Sequence, residues 1–422
     1  YHDECVACHV ERKQANEIAG PIASECRSCH AQETSNESSW KKITFDKSLH
    51  YVHESSAQIK GMSQADKDNC SRCHHKYNEK TKEIFYIKGE EESCSYCHRP
   101  VQEDSIRAIQ QASHDACVSC HQTLKVKKVA AGPVTCKGCH ELEMQQKIKK
   151  VADVPRLKRN QPDVVAITGW KKGSKIKNTY MNAVAFNHKF HETNAESCKV
   201  CHHETLKKCS DCHKADGSDQ QGEYISLEQA MHKKDTNRSC LGCHQEQTKN
   251  ADCAGCHFIA SAKKEGSESC KTCHNLNHKD LIVEPAQVAK TSLSDMSARY
   301  TSVQIDKIPE EIKIDVLSKD YKPSVFPHRK VVQAISKRVE KSQMAKAFHT
   351  DQAGLCMGCH HNSPKTLEPP QCGSCHSKKG PSVDGRPGLK GAYHGQCITC
   401  HQKMEVQAVA ATDCVKCHEE KK

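Results

Sequence analysis

One short cysteine motif occurs fifteen times in this chain, and this repeat constrains the fold more than any other feature. The motif is Cys-x-x-Cys-His, and it accounts for all 30 cysteines of the 422 residues. No thiol is therefore left over for a disulfide, a nucleophile or a separate metal site. The cysteine pairs are Cys5 and Cys8, Cys26 and Cys29, Cys70 and Cys73, Cys94 and Cys97, Cys117 and Cys120, Cys136 and Cys139, Cys198 and Cys201, Cys209 and Cys212, Cys240 and Cys243, Cys253 and Cys256, Cys270 and Cys273, Cys356 and Cys359, Cys372 and Cys375, Cys397 and Cys400, and Cys414 and Cys417.

The spacing of this motif is that of a c-type haem attachment site. Residues i, i+3 and i+4 share one face of a helical turn, so two thioether bonds and one imidazole can hold the same porphyrin. Structural zinc would need a second ligand pair at each site, and a disulfide scaffold leaves the histidines unexplained. The sequence predicts fifteen covalent haems, with these proximal ligands: His9, His30, His74, His98, His121, His140, His202, His213, His244, His257, His274, His360, His376, His401 and His418.

The composition agrees with an interior filled by something other than side chains. Hydrophobic residues make up 36% of the chain, against an ordinary share of about 45–50%. Aromatic residues make up only 5%, so conventional cores cannot form throughout. We expect short helices and loops packed around haem, with few strands and no continuous sheet.

The charge and hydropathy of the chain exclude two classes of partner. The net charge is +11, but the 63 basic residues are interspersed with 52 acidic ones, with few aromatics between them. This pattern favours a solvated surface over nucleic-acid binding. Fifteen ferric haems, each carrying about −1 once both propionates ionise, would add about −15 and bring the total to roughly −4. No stretch reaches the roughly 18–20 apolar residues of a membrane span. The first residues show no signal peptide, so we expect a processed chain or one that begins midway through a longer one.

Fourteen histidines stand outside the motifs and are candidates for the second axial position. Because they face fifteen irons, most sites are expected to be bis-histidine and at least one is expected to be open. The candidates are His2, His50, His53, His75, His114, His188, His191, His203, His232, His278, His328, His349, His361 and His394.

These histidines and motifs follow one order twice, over 50–140 and 188–257. The order is H-x-x-H, C-x-x-C-H-H, C-x-x-C-H, H, C-x-x-C-H, C-x-x-C-H, and it resembles the tetrahaem class III cytochromes c of sulfate-reducing bacteria. The whole chain is similar to the high-molecular-weight cytochromes c of those bacteria, which are strings of such units plus one isolated haem. Here the isolated motif is Cys270 to His274. Many class III cytochromes have four-residue spacers, whereas all fifteen spacers here have two.

The resemblance implies a ligand scheme. In each unit, the first His of H-x-x-H would ligate the first haem, and the second His would ligate the third. The His adjoining the first motif would ligate the second haem, and the His before the third motif the fourth. By this scheme His232 serves the haem of Cys253, and His2 serves that of Cys26.

Two departures from the scheme point to special sites. Val331 occupies the place of the second His in the last unit, so the iron on His401 is expected to be open. The isolated haem needs a ligand, for which His349 is favoured over His278, since His278 lies only four residues after His274. Val332, Ile335 and Val339 recur at helical spacing and predict a helix over Arg329–Phe348 that places His349.

The resemblance also implies the organisation of the chain. Residues 1–39 are the end of an incomplete unit, 40–150 and 186–265 are tetrahaem units, 266–280 hold the isolated haem, and 326–422 are a tetrahaem unit with one five-coordinate haem. Residues 151–185 and 281–325 are linkers. The relatives carry sixteen haems, so one more motif is expected in an N-terminal stretch outside this sequence. The fold class is mainly α with extensive loop, in tandem class III units.

The predicted function is electron transfer rather than catalysis. The resemblance implies a periplasmic wire of sulfate respiration, with a hydrogenase or a small tetrahaem cytochrome c as donor and a membrane-bound redox complex as acceptor. An extracellular conduit or filament is one alternative. The other is a reductase of small molecules at the open haem of His401.

Overall fold

The computed structural model describes residues 2–22, 40–168, 181–260, 267–277, 285–292, 297–315, 321–407 and 413–421. The chain divides into two compact bodies. Body one consists of residues 1–73 and 97–154, and body two of residues 74–96 and 155–422.

The helices of both bodies are short. Body one contains α1 (His2–Gln14), α2 (Lys47–Glu54), α3 (Ile109–Ser113), α4 (Ser119–Val126), α5 (Cys136–His140) and α6 (Leu142–Gln146). Body two contains α7 (His188–Asn194), α8 (Cys209–Cys212), α9 (Leu227–His232), α10 (Cys240–Gln247), α11 (Ala254–Ala260), α12 (Ser267–Cys273), α13 (Pro285–Thr291), α14 (His328–Lys341), α15 (Gln343–Phe348), α16 (Gln352–Cys356) and α17 (Leu389–Lys403). Isolated helices shorter than about 12 residues are marginal in water, so most of these depend on what they pack against.

The strands form three separate antiparallel ribbons, all in body two. They are β1 (Lys76–Asn78) with β2 (Glu83–Phe85), β3 (Val165–Ile167) with β4 (Val184–Phe186), and β5 (Ile312–Ile314) with β6 (Ser324–Phe326). Val165 pairs with Phe186, and Ile312 pairs with Phe326. The second and third ribbons therefore end directly before the helices that begin at His188 and His328.

The helix predicted over Arg329–Phe348 is present but broken once. α14 ends at Lys341, and Ser342 then caps α15 by accepting a hydrogen bond from the amide of Ala345. α14 has 14 residues, whereas the corresponding helix α7 has 7. The last unit therefore differs from the repeat that precedes it in the length of this helix.

The apolar core of the described residues is thin. One cluster consists of Ala183, Ala185, Leu276 and Val288, and Ala183 and Leu276 exchange two backbone hydrogen bonds of 3.1 and 3.0 Å. The described residues are mostly helix and loop with little strand, which confirms the predicted fold class of tandem multihaem units.

Candidate haem-binding sites

Each attachment motif within the described residues is built on a single helical turn. In six motifs the backbone N–H of the histidine donates to the carbonyl of the first cysteine over 2.8–2.9 Å; these begin at Cys198, Cys209, Cys270, Cys356, Cys372 and Cys414. The turn places both thiols and the imidazole on one side, as the spacing predicts. The cysteines of the described residues carry no disulfide, so both sulfurs of each motif can form thioethers.

Ten proximal histidines face a second imidazole from elsewhere in the chain. The ring centroids of these pairs lie between 5.9 and 6.4 Å apart. The pairs are His53–His121, His114–His140, His188–His202, His191–His244, His203–His213, His232–His274, His257–His349, His328–His360, His361–His376 and His394–His418. Every pair joins one histidine of a Cys-x-x-Cys-His motif to one outside the motifs.

This separation fits a metal ion held between two imidazoles. Such an ion sets the centroids about 6 Å apart, because each metal–nitrogen bond is about 2 Å long and each coordinating nitrogen lies about 1 Å from its ring centroid. Rings in direct contact would lie closer, as Phe186 and His191 do at 4.3 Å. The paired histidines, with the cysteines on the same turn, would therefore hold a bis-histidine haem.

Hydrogen bonds at Nδ1 fix the orientation of both kinds of histidine. Among the proximal rings, His121 lies 3.0 Å from the carbonyl of Pro133, and His376 lies 2.8 Å from that of Pro387. Among the distal rings, His53 and His191 lie 2.7 and 2.8 Å from the carbonyls of Leu49 and Asn187. A carbonyl only accepts, so Nδ1 carries the proton and Nε2 keeps its lone pair for a metal.

Burial keeps several of these rings neutral. Loss of hydration lowers the pKa of His191, His244, His257 and His349. The neutral ring is the form that ligates a metal, so the folded chain presents these side chains ready for iron.

Two helices that carry H-x-x-H pairs begin in the same way. The carboxylate of Asp46 accepts from the amide of Leu49 over 2.9 Å at the start of α2. The side-chain oxygen of Asn187 accepts from the amide of Phe190 over 2.9 Å at the start of α7. These caps fix the first turn, which carries His50 in α2 and both His188 and His191 in α7.

Eight distal histidines lie beside the proximal histidine that the class III scheme implies. They are His53, His114, His188, His191, His203, His328, His361 and His394, in the pairs given above. Their role as iron ligands remains a prediction, as do the pairings of His50 with His74 and of His75 with His98.

Two other histidines lie where the scheme does not place them. His232 faces His274 of the isolated motif at 5.9 Å, not His257. His349 faces His257 at 5.9 Å, not His274. The predicted pairings of His232 with His257 and of His349 with His274 are therefore wrong in this structure. The physical reason is the extra helical length after Val331, which brings His349 to the place that His232 would have filled.

His401 differs from the other proximal histidines of the last unit. Within the described part of the chain, no imidazole lies opposite its ring, which agrees with Val331 at the place of the missing histidine. The predicted site residues Cys26, Cys29 and His30 lie outside the described residues, as do the disfavoured candidate His278 and the side chain of His2.

The repeated turns and paired rings define a multihaem c-type cytochrome, and comparison with known proteins identifies the family. The model of the class III cytochrome c family matches residues 33–140, 162–257 and 323–421. The chain therefore belongs to the class III cytochrome c family. Its cofactor is haem c, and its activity is electron transfer.

Individual relatives extend this similarity to the whole chain. The chain is 41% identical to the high-molecular-weight cytochrome c of Nitratidesulfovibrio vulgaris, over 100% of this chain and 80% of the relative. It is 37% identical to the nine-haem cytochrome c of Desulfovibrio desulfuricans, over 57% of this chain and 81% of the relative. The predicted resemblance to high-molecular-weight cytochromes c is confirmed.

Solved structures give the same result. The sixteen-haem cytochrome from Desulfovibrio gigas matches with a TM-score of 0.82 and 34% identity, over 100% of this chain and 86% of that one. The high-molecular-weight cytochrome c from Desulfovibrio vulgaris (Miyazaki F) matches with a TM-score of 0.76 and 38% identity, over 100% and 84%. No helix in the described ranges has the length and apolarity to cross a bilayer.

Proposed function

We propose that this chain is a periplasmic electron wire of anaerobic sulfate respiration. Its donor is hydrogenase or a small tetrahaem cytochrome c, and its acceptor is a membrane-bound redox complex. Haem c, fifteen groups in this chain, supplies reversible one-electron transfer when bound. The chain itself holds each site in place and supplies both axial ligands at most of them.

The observation that supports this proposal is the set of ten imidazole pairs. Two histidines at one iron fill both axial positions, so these sites offer no place for a substrate to bind. Strong donation from two imidazoles also favours the ferric state and a low potential. Sites of this kind suit electron transfer and are poorly suited to catalysis.

The number of haems can be tested on the purified protein. The mass of the holoprotein should exceed that of the bare chain by fifteen haem groups. Replacement of one cysteine pair, such as Cys209→Ala with Cys212→Ala, should remove one group. A mass excess well below fifteen would contradict the proposed cofactor content.

The identity of the electron donor needs its own experiment. The oxidised holoprotein is mixed with hydrogenase under hydrogen, with and without a small tetrahaem cytochrome c, and the haem absorbance is followed. We expect the small cytochrome to accelerate reduction strongly. Equal rates with and without it would remove it as the donor and leave hydrogenase itself. No reduction in either case would contradict the proposed wiring.

The ring of His401, which faces no second imidazole within the described residues, supports a second candidate function. An iron without a distal histidine can bind a small ligand, so catalysis can be proposed at this site. Turnover of nitrite, hydroxylamine or sulfite that disappears when the open position is filled would support a reductase. Absence of turnover with all three would leave electron transfer as the function of this site too.

A further inference from the structure

The second and last tetrahaem units, residues 186–265 and 326–422, meet where their attachment motifs contain glycine. α11, which carries Cys256 and His257, packs against α17, which carries Cys400. A Cβ built on Gly255 would lie only 2.8 Å from Sγ of Cys400 and 2.3 Å from Cγ of Met404. Real Cβ atoms do not approach this closely, so a larger residue at position 255 would push the side chains of Cys400 and Met404 away.

A second glycine lies on the other side of the same motif. A Cβ built on Gly358 would lie 3.3 Å from Sγ of Cys256. Gly358 stands between Cys356 and Cys359 in the first motif of the last unit, and its carbonyl accepts from Nε2 of Gln396 over 3.1 Å. Cys256 therefore lies close to two motifs of the last unit.

The sulfurs of all three motifs share one neighbourhood. The sulfur of Cys256 borders Gly358 of the Cys356 motif, and the sulfur of Cys400 borders Gly255 of the Cys253 motif. Since each sulfur would join the chain to the edge of its haem, the edges of three haems would lie close together at these cysteines. Electron tunnelling depends steeply on the distance between edges, so the packing of these sulfurs sets the rate.

Two further contacts tie the same motif to the last unit. His349, seven residues before Cys356, faces His257 at 5.9 Å. The guanidinium of Arg338 on α14 donates to the carbonyl of Ala251 over 3.2 Å and to the carboxylate of Asp252 over 2.8 Å. These contacts hold the turn that leads into Cys253 against the last unit.

We infer that the Cys253–His257 site is where electrons cross between the second and last tetrahaem units, and that Gly255 and Gly358 are positioning residues for this step. The inference rests on the proposed electron transfer and specifies its route. The Cys253–His257 site gives one electron to the Cys356–His360 or Cys397–His401 site, or receives one, and no bond forms or breaks.

The test compares Gly255→Val with Gly373→Val in the full holoprotein. Gly373 also lies between the cysteines of a motif, and a Cβ there would meet nothing within 4 Å. A small photochemical dose adds fewer electrons than there are haems, and absorbance follows their redistribution within the molecule. We expect Gly255→Val to slow one redistribution phase several-fold, while Gly373→Val leaves every phase at its original rate.

Controls separate positioning from loss of structure. The haem mass and the equilibrium redox titration should be unchanged in Gly255→Val, because only a distance has changed. If that variant does not assemble, Gly358→Ala replaces it, with a smaller expected slowing. Unchanged rates in the assembled variant, or equal slowing in Gly373→Val, would overturn the inference. No partner protein is used, so a failure of the proposed donor or acceptor would not affect this result.

Discussion

The imidazole rings of His232 and His274 lie 5.9 Å apart, with their planes inclined at 30°. His232 ends α9 in the second tetrahaem unit, whereas His274 belongs to the isolated motif. Since His257 faces His349 instead, the second unit provides a candidate ligand to the isolated site and receives one from the segment before Cys356. These histidine pairs thus link segments that would otherwise be independent repeats.

This pairing predicts which iron becomes high-spin when His232 is removed. His232→Ala should add one high-spin iron to the electron paramagnetic resonance spectrum, because the ring opposite His274 is lost. The same substitution should add none in a background of Cys270→Ala with Cys273→Ala, which cannot hold the isolated haem.

His349→Ala provides the matched control in that background. It should still add one high-spin iron there, since His257 belongs to a different motif. If His232→Ala adds the signal in the absence of the isolated haem and His349→Ala does not, the two pairings are the reverse of those described here.

The place of Val331 on α14 suggests a substitution that fills the position opposite His401. Val331 lies three residues after His328 on α14, as His191 lies three residues after His188 on α7. Val331→His should therefore remove one high-spin iron from the spectrum of the holoprotein and the binding of one carbon monoxide. Val332→His moves the new ring by one position, about 100° around the helix, and should leave both properties unchanged. Persistence of the signal in Val331→His would move the open site elsewhere.

The sequence predicted the local parts of this arrangement well, because each depends on a few neighbouring residues. The turn that joins Cys209 to His213 follows from spacing alone, and the partner of His191 is the one that the resemblance to class III cytochromes implies. The partners of His232 and His349 could not be predicted in this way. Each depends on how far a non-repeated segment reaches in space, and the spacing of histidines carries no information on that distance.

The ribbon of β3 and β4 was also beyond sequence reasoning. Residues 151–185 were expected to be a linker, yet Val165–Ile167 pairs with Val184–Phe186. Sixteen residues, 168–183, separate the two strands, whereas hairpin loops usually have about two to five, so the sequence gives no hairpin signal. β4 ends at Phe186, directly before Asn187, which caps the helix of His188.

The cap at Asp46 predicts a measurable contribution to stability. Asp46→Ala should lower the free energy of unfolding by about 1 kcal/mol, the usual cost of losing an N-cap. Asp46→Asn should cost less, because asparagine is also a good cap and serves this role at Asn187. Urea denaturation at neutral pH measures both; an equal loss in the two variants would assign the effect to the ion pair with Lys150 instead.

The same carboxylate predicts a dependence on acid. Burial alone would raise the pKa of Asp46, but hydrogen bonds from Lys150 and Leu49 outweigh it and lower the pKa. A lowered pKa gives stability that is present above the unfolded value, about 4, and is lost as the pH falls through the folded value. The difference in stability between the wild type and Asp46→Asn should therefore shrink in acid, and a difference that grows below pH 4 would contradict this.

For the buried Tyr96 we expect a stabilising contribution that is lost at high pH, whereas that of Asp46 is lost in acid. Tyr96 is 8% exposed, its hydroxyl donates to the carbonyl of His202, and burial raises its pKa to about 12. Tyr96→Phe should lower the free energy of unfolding by about 1 kcal/mol, because it removes one hydrogen bond. Since the pKa is raised from 10.0, this contribution is complete below pH 10 and is lost as the pH rises through about 12. Tyr77→Phe, at a position 41% exposed, should change stability little at either pH. Equal effects of the two substitutions at pH 7 would show that the hydroxyl of Tyr96 does not stabilise the fold.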